Sequence, residues 1–278
     1  MTESTMPGRL RVATYNLRVP CDPAPNDWPS RAPRVARTLS RCQFDIFGAQ
    51  EAVEAQIKFI SEDVGYRCVG TGRERGFNGE YSCIFFRPGC LECLGSHTFW
   101  LSETPSMPGS KSWDSACVRI CTFGRFRLRS TGSTFIMANT HLDHVSRPAM
   151  SNGARVILQH LEPYFSDVPV ILTGDFNTYP GTEPLEILSA KMWNARLVTE
   201  APHAGPDGAT YHGYQADPRE RKHNAPIDYI FVTPDIRVLR HEAVDDFENG
   251  LSSSDHFALM ADVELSSGTP PVSTRETP

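Results

Sequence analysis

The chain contains short apolar runs that end abruptly in polar residues, and residues 168–177 (VPVILTGDFN) show this pattern clearly. An almost wholly apolar run of this length predicts a strand that is buried on both faces. The run ends in Gly174, Asp175 and Asn177, and burying a carboxylate without a partner is costly. We therefore expect Asp175 to face a proton donor, a metal or a substrate, although it could instead only cap the turn at residues 178–181.

The same pattern of apolar and polar positions predicts the other regular elements. Apolar runs bounded by turn-forming residues predict strands at residues 10–16, 44–49, 80–86, 227–232 and 257–265, and a hairpin of 117–129 and 133–139. Apolar residues at helical spacing predict helices, one capped by Ser30, two at residues 52–64 and 147–165, and a short one from Pro184. Proline- and glycine-rich stretches predict loops at residues 20–29, 70–79, 99–113 and 204–224.

Polar residues that can bind metals or move protons stand at the ends of these strands: Asn16, Glu51, Asn139, His141, Asp175, Asn177, Asp228, Asp255 and His256. Strands linked by helices and hairpins bring their ends to a common edge, so we expect these groups to converge. Carboxylate and amide oxygens suit Mg²⁺ or Mn²⁺ rather than zinc, and histidines beside carboxylates suit acid–base chemistry. The set predicts attack of water on a phosphoester, although Glu51 alone could be a helix N-terminal acid.

Composition limits the possible partners and surroundings of the protein. The 278 residues carry a net charge of −6 and no long Lys/Arg run, which argues weakly against a long polyanionic substrate but leaves a local basic groove possible. No run of 18 apolar residues and no secretory signal is visible, so we expect no membrane span and a cytoplasmic protein. The eight cysteines are expected to be free thiols, with zinc binding as the alternative.

Six segments resemble, in their order along the chain, the motifs of the endonuclease/exonuclease/phosphatase superfamily: residues 14–17 (TYNL), 50–51 (QE), 139–142 (NTHL), 174–177 (GDFN), 227–230 (IDYI) and 254–256 (SDH). The resemblance implies a four-layer α/β sandwich, with two mixed β-sheets packed face to face and helices outside. It extends over a domain at residues 9–265, and we expect disorder at 1–8 and 266–278. Two departures from the abasic-site endonucleases of the superfamily are Arg18, where they carry Asp, and His141, where they carry Tyr.

The resemblance also implies which residues hold a metal and the attacking water. Glu51 would be the main ligand of Mg²⁺ (or Mn²⁺), helped by Asn16, and Asp255 would lie near the metal and bind it directly or through water. Asp175 would orient or deprotonate the attacking water. Asn177 would hold a phosphate oxygen beside it.

The remaining motif residues would act on the phosphate itself. His256, paired with Asp228, would bind phosphate and stabilise the charged transition state. His141 would bind phosphate or protonate the leaving oxygen, within the motif that also contains Asn139. From its strand position we suggest Glu80 as the carboxylate that orients His141.

These features lead to a functional hypothesis with alternatives. We expect a metal-dependent hydrolase of a small phosphorylated metabolite, such as a sugar, nucleotide or lipid headgroup phosphate. A nuclease or phosphodiesterase and a binding module without catalysis are the alternatives, and the oligomeric state stays open. The candidates for substrate contact, each of which could instead be packing or a solvated loop, are Trp100, Trp113, Arg119, His144, Tyr211 and His212.

Overall fold

The computed structural model describes residues 8–265, which form a two-sheet α/β sandwich. The strands are β1 (Arg9–Asn16), β2 (Ile46–Ala52), β3 (Arg67–Val69), β4 (Tyr81–Phe86), β5 (Leu91–Trp100), β6 (Ile120–Leu128), β7 (Thr134–His141), β8 (Val170–Asp175), β9 (Trp193–Asn194), β10 (Asp228–Val232), β11 (Ile236–Val244) and β12 (Ala258–Leu265). Sheet A has the order β11-β12-β1-β2-β4-β3, and sheet B has the order β5-β6-β7-β8-β10-β9.

The helices lie between strands in the sequence and outside the sheets in space. They are α1 (Trp28–Cys42), α2 (Glu54–Phe59), α3 (Arg147–Leu161), α4 (Glu183–Ser189) and α5 (Ala195–Val198), with a π-helical turn at Ile60–Val64 and 3₁₀ turns at Glu162–Tyr164 and Pro218–Glu220. Within residues 8–265, none of these helices has both the length and the hydrophobicity that a membrane crossing requires. The predicted terminal disorder concerns residues outside the described range, except Gly8, whose carbonyl accepts the Leu265 N–H.

Three hydrophobic clusters hold the layers together and confirm the predicted four-layer arrangement. The central cluster joins the inner faces of the two sheets, where side chains such as Val12 of sheet A and Met137 of sheet B are fully buried. Leu39 of α1 packs in a second cluster with sheet A, and Ile157 of α3 packs in a third with sheet B. Each sheet therefore has one face against the other sheet and one face against helices, as a layered domain requires.

A polar contact links the two sheets at the centre of the sandwich. Asn139 of β7 donates from Nδ2 to the backbone carbonyls of Ala49 and Cys83, both at 2.9 Å, and accepts at Oδ1 from Gln50 Nε2 at 2.6 Å. The contact needs a glycine at position 48, because a Cβ there would lie 2.2 Å from Asn139 Oδ1. Because buried amide groups are costly unless bonded, this contact fixes the position of sheet A relative to sheet B.

The structure departs from the predicted elements at the sheet edges and at the first helix. The four edge strands, β3, β5, β9 and β11, were not predicted. In β5 the middle of the strand is exposed and contains Gly95, which weakens the apolar pattern. Helix α1 begins at Trp28, with Asp27 and not Ser30 at the N-cap position, because Pro29 occupies the first turn, where it is well tolerated.

Candidate active site

The predicted site residues converge at one edge of the sandwich, as expected from the strand directions. The central pairs β1/β2 and β7/β8 are parallel, so Asn16 lies beside Gln50 in one sheet and His141 beside Asp175 in the other. Together with the segment that precedes β12, these ends enclose a cleft of about 570 Å³. Carboxylates, histidines and arginines line the cleft, which is therefore strongly polar.

The wall formed by sheet A carries the residues that were expected to hold a metal. Glu51 accepts the Val19 backbone N–H at Oε2 (3.0 Å) and the Asn16 amide at Oε1 (3.1 Å). Burial raises the pKa of Glu51, but these two hydrogen bonds and the positive charge of His256 outweigh burial and make the net shift downward. Asp255 is also buried, and burial together with the negative charge of Glu51 raises its pKa.

The donor set of this wall fits a hard divalent cation. Glu51 and Asp255 supply carboxylate oxygens, and both lie close to one cation already, because the Arg18 guanidinium is 3.9 Å from Glu51 and 3.6 Å from Asp255. Asn16 contributes differently: its Oδ1 accepts the Arg18 backbone N–H, and its Nδ2 donates to Glu51 and Asp175. Asn16 thus positions the carboxylates of Glu51 and Asp175 through its amide nitrogen. Its amide oxygen is bonded to the backbone and is not directed toward these carboxylates.

A buried histidine–carboxylate pair joins the two walls, because His256 follows Asp255 in the segment before β12 of sheet A and Asp228 begins β10 of sheet B. His256 Nδ1 lies 2.9 Å from Asp228 Oδ2, and His256 Nε2 lies 3.8 Å from Asp175 Oδ2. Burial lowers the pKa of His256, but the charge and hydrogen bond of Asp228 raise it to about 10 overall. Burial and the nearby Asp228 raise the pKa of Asp175 to about 7. The imidazolium is therefore stabilised as a cation beside the cleft.

Asp175, Asp228 and His256 also place one potential ligand atom each within 4.8 Å of one another. We interpret this group as a hydrogen-bonded relay, because Asp228 already accepts from His256 and Asp175 accepts from Asn16 and from the Asn177 backbone N–H. A metal here would have to displace the proton of a histidine whose pKa is raised. Glu51 and Asp255 are the better metal-binding carboxylates.

His141 and Asn177 complete the floor of the cleft. His141 Nε2 lies 3.5 Å from Asp175 Oδ2, and burial and the positive charge of Arg119 lower the pKa of His141 well below its usual value. His141 is therefore neutral, whereas His256 is cationic. Asn177 has a left-handed backbone (φ 50°) and donates from Nδ2 to the Leu142 carbonyl, which fixes its amide at the cleft surface.

The two supporting residues have different positions from those expected. Glu80 lines the cleft, but its carboxylate bonds Arg73 at 2.8 Å, and the ion pair that the structure shows for His141 is with Asp175. The suggestion that Glu80 orients His141 is therefore not supported by their contacts. Asn139 is fully buried between the sheets, where it links them instead of facing the cleft.

The candidates for substrate contact divide into two groups. Arg119, His144 and Tyr211 line the cleft. Trp100 instead donates its indole N–H to the Arg73 carbonyl and packs on Phe77. The other two candidates also lie among core side chains: Trp113 beside the α3 cluster, and His212 between Phe247 and Phe257.

Several cleft residues were not predicted from the sequence. Arg73 comes from the glycine-rich loop at residues 70–79, and Tyr179 follows the β8 motif. Lys222 and His223 come from the long loop at residues 204–224, where His223 Nδ1 lies 2.5 Å from the Tyr179 hydroxyl. Basic residues in otherwise glycine- and proline-rich loops were the available signal, but only the fold shows that these loops border one cleft.

Two mixed sheets that enclose a cleft of carboxylates and histidines define a protein of the phosphoesterase type. Comparison with known proteins agrees: the model of the Endonuclease/Exonuclease/phosphatase family matches residues 13–256. The chain therefore belongs to the endonuclease/exonuclease/phosphatase family. The described fold and the sequence thus support the resemblance found in the motifs.

Solved structures of similar proteins extend over nearly the whole chain. A family member from Bacteroides vulgatus is 33% identical, with a TM-score of 0.86, over 93% of this chain and 99% of that one. A mannosyl-6-phosphatase from Bacteroides thetaiotaomicron is 31% identical, with a TM-score of 0.82, over 91% and 99%. Protein angel of Drosophila melanogaster is 26% identical over 59% of this chain and 48% of its own length. The chain spans less than half the length of the curated relatives it matches.

Proposed function

We propose that this protein is a Mg²⁺- or Mn²⁺-dependent hydrolase of small phosphorylated metabolites. The observation that carries the proposal is the arrangement of the cleft, in which Glu51 and Asp255 on the sheet A side meet Asp175 of sheet B and the His256–Asp228 pair, which spans both sheets. Metal-binding carboxylates and a cationic histidine in one cleft are what hydrolysis of a phosphoester requires.

In the proposed mechanism Glu51 and Asp255 hold the divalent cation, and Asn16 keeps the Glu51 carboxylate in place. When bound, the metal would neutralise charge on the phosphate. Asp175 orients a water molecule and accepts its proton, for which a carboxylate with a pKa near 7 is suited. The Asn16 amide, 3.0 Å from Asp175 Oδ2, holds that carboxylate toward the cleft.

The other side chains of the cleft act on the phosphate. The His256 imidazolium, held by Asp228, provides a fixed positive charge for the oxygens of the transition state. Asn177 has a second amide hydrogen that is available for a phosphate oxygen. Neutral His141 donates a hydrogen bond to the phosphate or to the leaving oxygen from the nitrogen that carries its proton.

Three observations favour a small substrate. The cleft volume of about 570 Å³ is that of a site for a small molecule. The net charge of −6 disfavours a long polyanion. Similarity to a mannosyl-6-phosphatase over 91% of the chain makes a sugar phosphate the first compound class to test.

A nuclease is the second candidate, because Arg73, Arg119, Lys222 and His223 give the cleft the local basic character that a nucleic acid would need. Salt separates the two candidates. Binding of a nucleic acid through several phosphates weakens steeply with salt, whereas hydrolysis of a sugar monophosphate should respond much less.

The experiment measures release of inorganic phosphate from a panel of sugar and nucleotide monophosphates, with Mg²⁺ and then with EDTA. We expect turnover that EDTA stops and that the Glu51→Gln variant reduces by about 100-fold or more, because the variant loses a charged metal ligand. Glu54→Gln, which changes an exposed carboxylate of α2, is the matched control and should keep full activity.

The opposite results are equally informative. Full activity of the Glu51→Gln variant would contradict the assignment of Glu51 as a metal ligand. Cleavage of single-stranded nucleic acid without release of phosphate from any monoester would move the assignment to a nuclease. Metal binding without hydrolysis of any phosphoester would favour a binding module.

A further inference from the structure

Arg119 is a buried guanidinium group in the cleft, and within residues 8–265 no carboxylate lies at hydrogen-bond distance from it. It directly precedes β6, its exposed fraction is 6%, and its buried Nε has no hydrogen-bond partner among the described residues. The ion pair that the structure shows for Arg119 is with Asp143 Oδ1, at 3.9 Å, which is too far for a hydrogen bond. Burial lowers the pKa of Arg119, so holding this charge here has a free-energy cost.

Asp143 cannot neutralise Arg119 fully, because other groups occupy its carboxylate. Oδ1 accepts the Ser115 hydroxyl and the backbone N–H groups of Ala116 and Cys117. Oδ2 accepts two further backbone N–H groups, those of Val145 and Ser146. Asp143 is therefore a structural carboxylate that closes two loops, and its charge is already shared among five donors.

The other two arginines of the cleft are neutralised, which makes Arg119 different. Arg18 donates to both oxygens of Asp22 at 2.9 Å, and Arg73 donates to Glu80 at 2.8 Å. An Arg119 without such a partner is left with its charge available to a ligand. A buried, fixed guanidinium that faces a polar cleft suits an anion.

The position of Arg119 relative to the proposed metal ligands is also informative. Glu51 and Asp255 belong to sheet A, whereas Arg119 and His141 belong to the ends of sheet B strands, so they approach the cleft from opposite walls. The positive charge of Arg119 is close enough to lower the pKa of His141. Arg119 can thus contact a phosphate bound over His141 from the side opposite the metal.

We propose that Arg119 is a catalytic residue that binds a terminal oxygen of the reacting phosphate and makes this site selective for phosphomonoesters. The inference rests on the proposed function and names its substrate class. A monoester brings three terminal oxygens and nearly two negative charges, whereas a diester brings two terminal oxygens and one charge. The metal side, the His256–Asn177 side and Arg119 provide three separate partners, one for each oxygen of a monoester.

His144 is the positioning residue for Arg119. Arg119 Nη2 lies 3.1 Å from His144 Nδ1, and because arginine can only donate, His144 must accept at Nδ1 and carry its proton at Nε2. The contact fixes the direction of the guanidinium. His144 also lines the cleft, where its Nε2–H is a donor available to the alcohol part of the substrate.

The test compares the wild-type protein with Arg119→Met on p-nitrophenyl phosphate and bis-p-nitrophenyl phosphate. We expect kcat/KM for the monoester to fall about 100-fold and that for the diester to fall less than about 10-fold, because one charged hydrogen bond is lost for the monoester alone. Arg125→Met, an exposed arginine of the same strand region, is the control and should change neither rate. Guanidinium ion added to Arg119→Ala should restore part of the monoester rate.

A binding measurement keeps this inference separate from the proposed function. Calorimetry with inorganic phosphate and with dimethyl phosphate, in Mg²⁺, should show phosphate affinity reduced about 10- to 100-fold in Arg119→Met and dimethyl phosphate affinity little changed. Equal losses for both anions, or none, would overturn the role of Arg119. Normal phosphate binding by a wild-type protein that hydrolyses no ester would overturn the proposed function instead.

His144 has a test of its own. His144→Gln can still accept from Arg119 and should keep kcat for the monoester within about 3-fold, whereas His144→Phe cannot accept and should lower kcat about 10-fold. Rescue by glutamine is the result that a purely structural histidine would not give. Equal losses in both variants would contradict the positioning role.

Discussion

Gly48 lets the two sheets approach at the point where Asn139 and Thr173 reach across from sheet B. A Cβ at position 48 would lie 2.2 Å from Asn139 Oδ1 and 2.3 Å from Thr173 Oγ1, which real Cβ atoms do not tolerate. We expect Gly48→Ala to lower the free energy of unfolding by about 2–3 kcal/mol, because overpacking a core costs this much. Urea unfolding followed by circular dichroism measures the change.

The control for this prediction is another glycine-to-alanine change. A Cβ at Gly89 meets nothing within 4 Å, so Gly89→Ala should leave the free energy of unfolding within about 0.5 kcal/mol of the wild type. Equal stability of the Gly48 and Gly89 variants would show that the sheets separate easily at this point. The Asn139 contact would then not fix their relative position.

Left-handed backbone conformations occur at three cleft residues: Arg18 (φ 55°), Glu51 (φ 57°) and Asn177 (φ 50°). Non-glycine residues in this region carry strain, which persists where the surrounding structure holds them. The motifs predicted that Glu51 and Asn177 follow strands, but a sequence pattern cannot show that the backbone reverses there. The exact direction of each side chain therefore became visible only in the structure.

One buried arginine connects helix α1 to segments of the proposed metal-binding wall. Arg31 is fully buried and donates to the backbone carbonyls of Leu17, Arg18, Asn26 and Ser253. Leu17 and Arg18 directly follow Asn16 in the chain, and Ser253 shortly precedes Asp255. The helix thus holds both segments that carry residues of the proposed metal site.

Arg31→Met tests this connection. We expect it to lower the free energy of unfolding by about 3 kcal/mol, because buried carbonyls lose their donors, and to weaken Mg²⁺ binding measured by calorimetry. Arg37→Met changes a half-exposed arginine of the same helix and is the control. Unchanged Mg²⁺ affinity in a folded Arg31→Met protein would show that the metal-binding wall does not depend on α1.

The central strands could be predicted from the sequence, and the edge strands could not. Strands such as β2 and β8 are buried on both faces, so their residues are almost wholly apolar and end at polar site residues. Edge strands such as β5 are partly exposed, and solvent tolerates almost any polar residue there. The cleft shows the same difference. The motif residues at the ends of central strands could be predicted, whereas Arg73 and Lys222 could not, because they come from loops whose positions depend on the whole fold.

At the scale of the whole molecule, the proposed site belongs to neither sheet alone. Glu51 and Asp255 come from sheet A, and His141, Asp175 and Asn177 from sheet B, so the cleft forms only when the sheets pack correctly. The side-chain bonds of Asn139 and the Asn16–Asp175 contact cross this boundary. Stability of the sandwich and geometry of the site are therefore linked.

Acid should destabilise the sandwich through His241, a buried residue of β11 outside the cleft. Burial lowers the pKa of His241 to about 3, and the neighbouring His203, whose Nδ1 lies 2.9 Å away, and the charge of Arg196 add to this. In the unfolded chain the pKa returns to about 6.5. Between these two values the unfolded chain binds a proton that the native protein does not, so stability is complete above about pH 6.5 and falls as the pH decreases toward 3.

The His241→Gln variant tests the origin of this loss. From about pH 6.5 to about pH 4.5, the free energy of unfolding of the wild type should fall more steeply than that of the variant, by up to about 1.4 kcal/mol per pH unit. Urea unfolding at several pH values gives both slopes, and groups common to the two proteins cancel in their difference. The exposed His97→Gln change is the control and should keep the wild-type slope. If the His241→Gln variant also keeps the wild-type slope of unfolding free energy against pH, the buried histidine is not what makes the fold sensitive to acid.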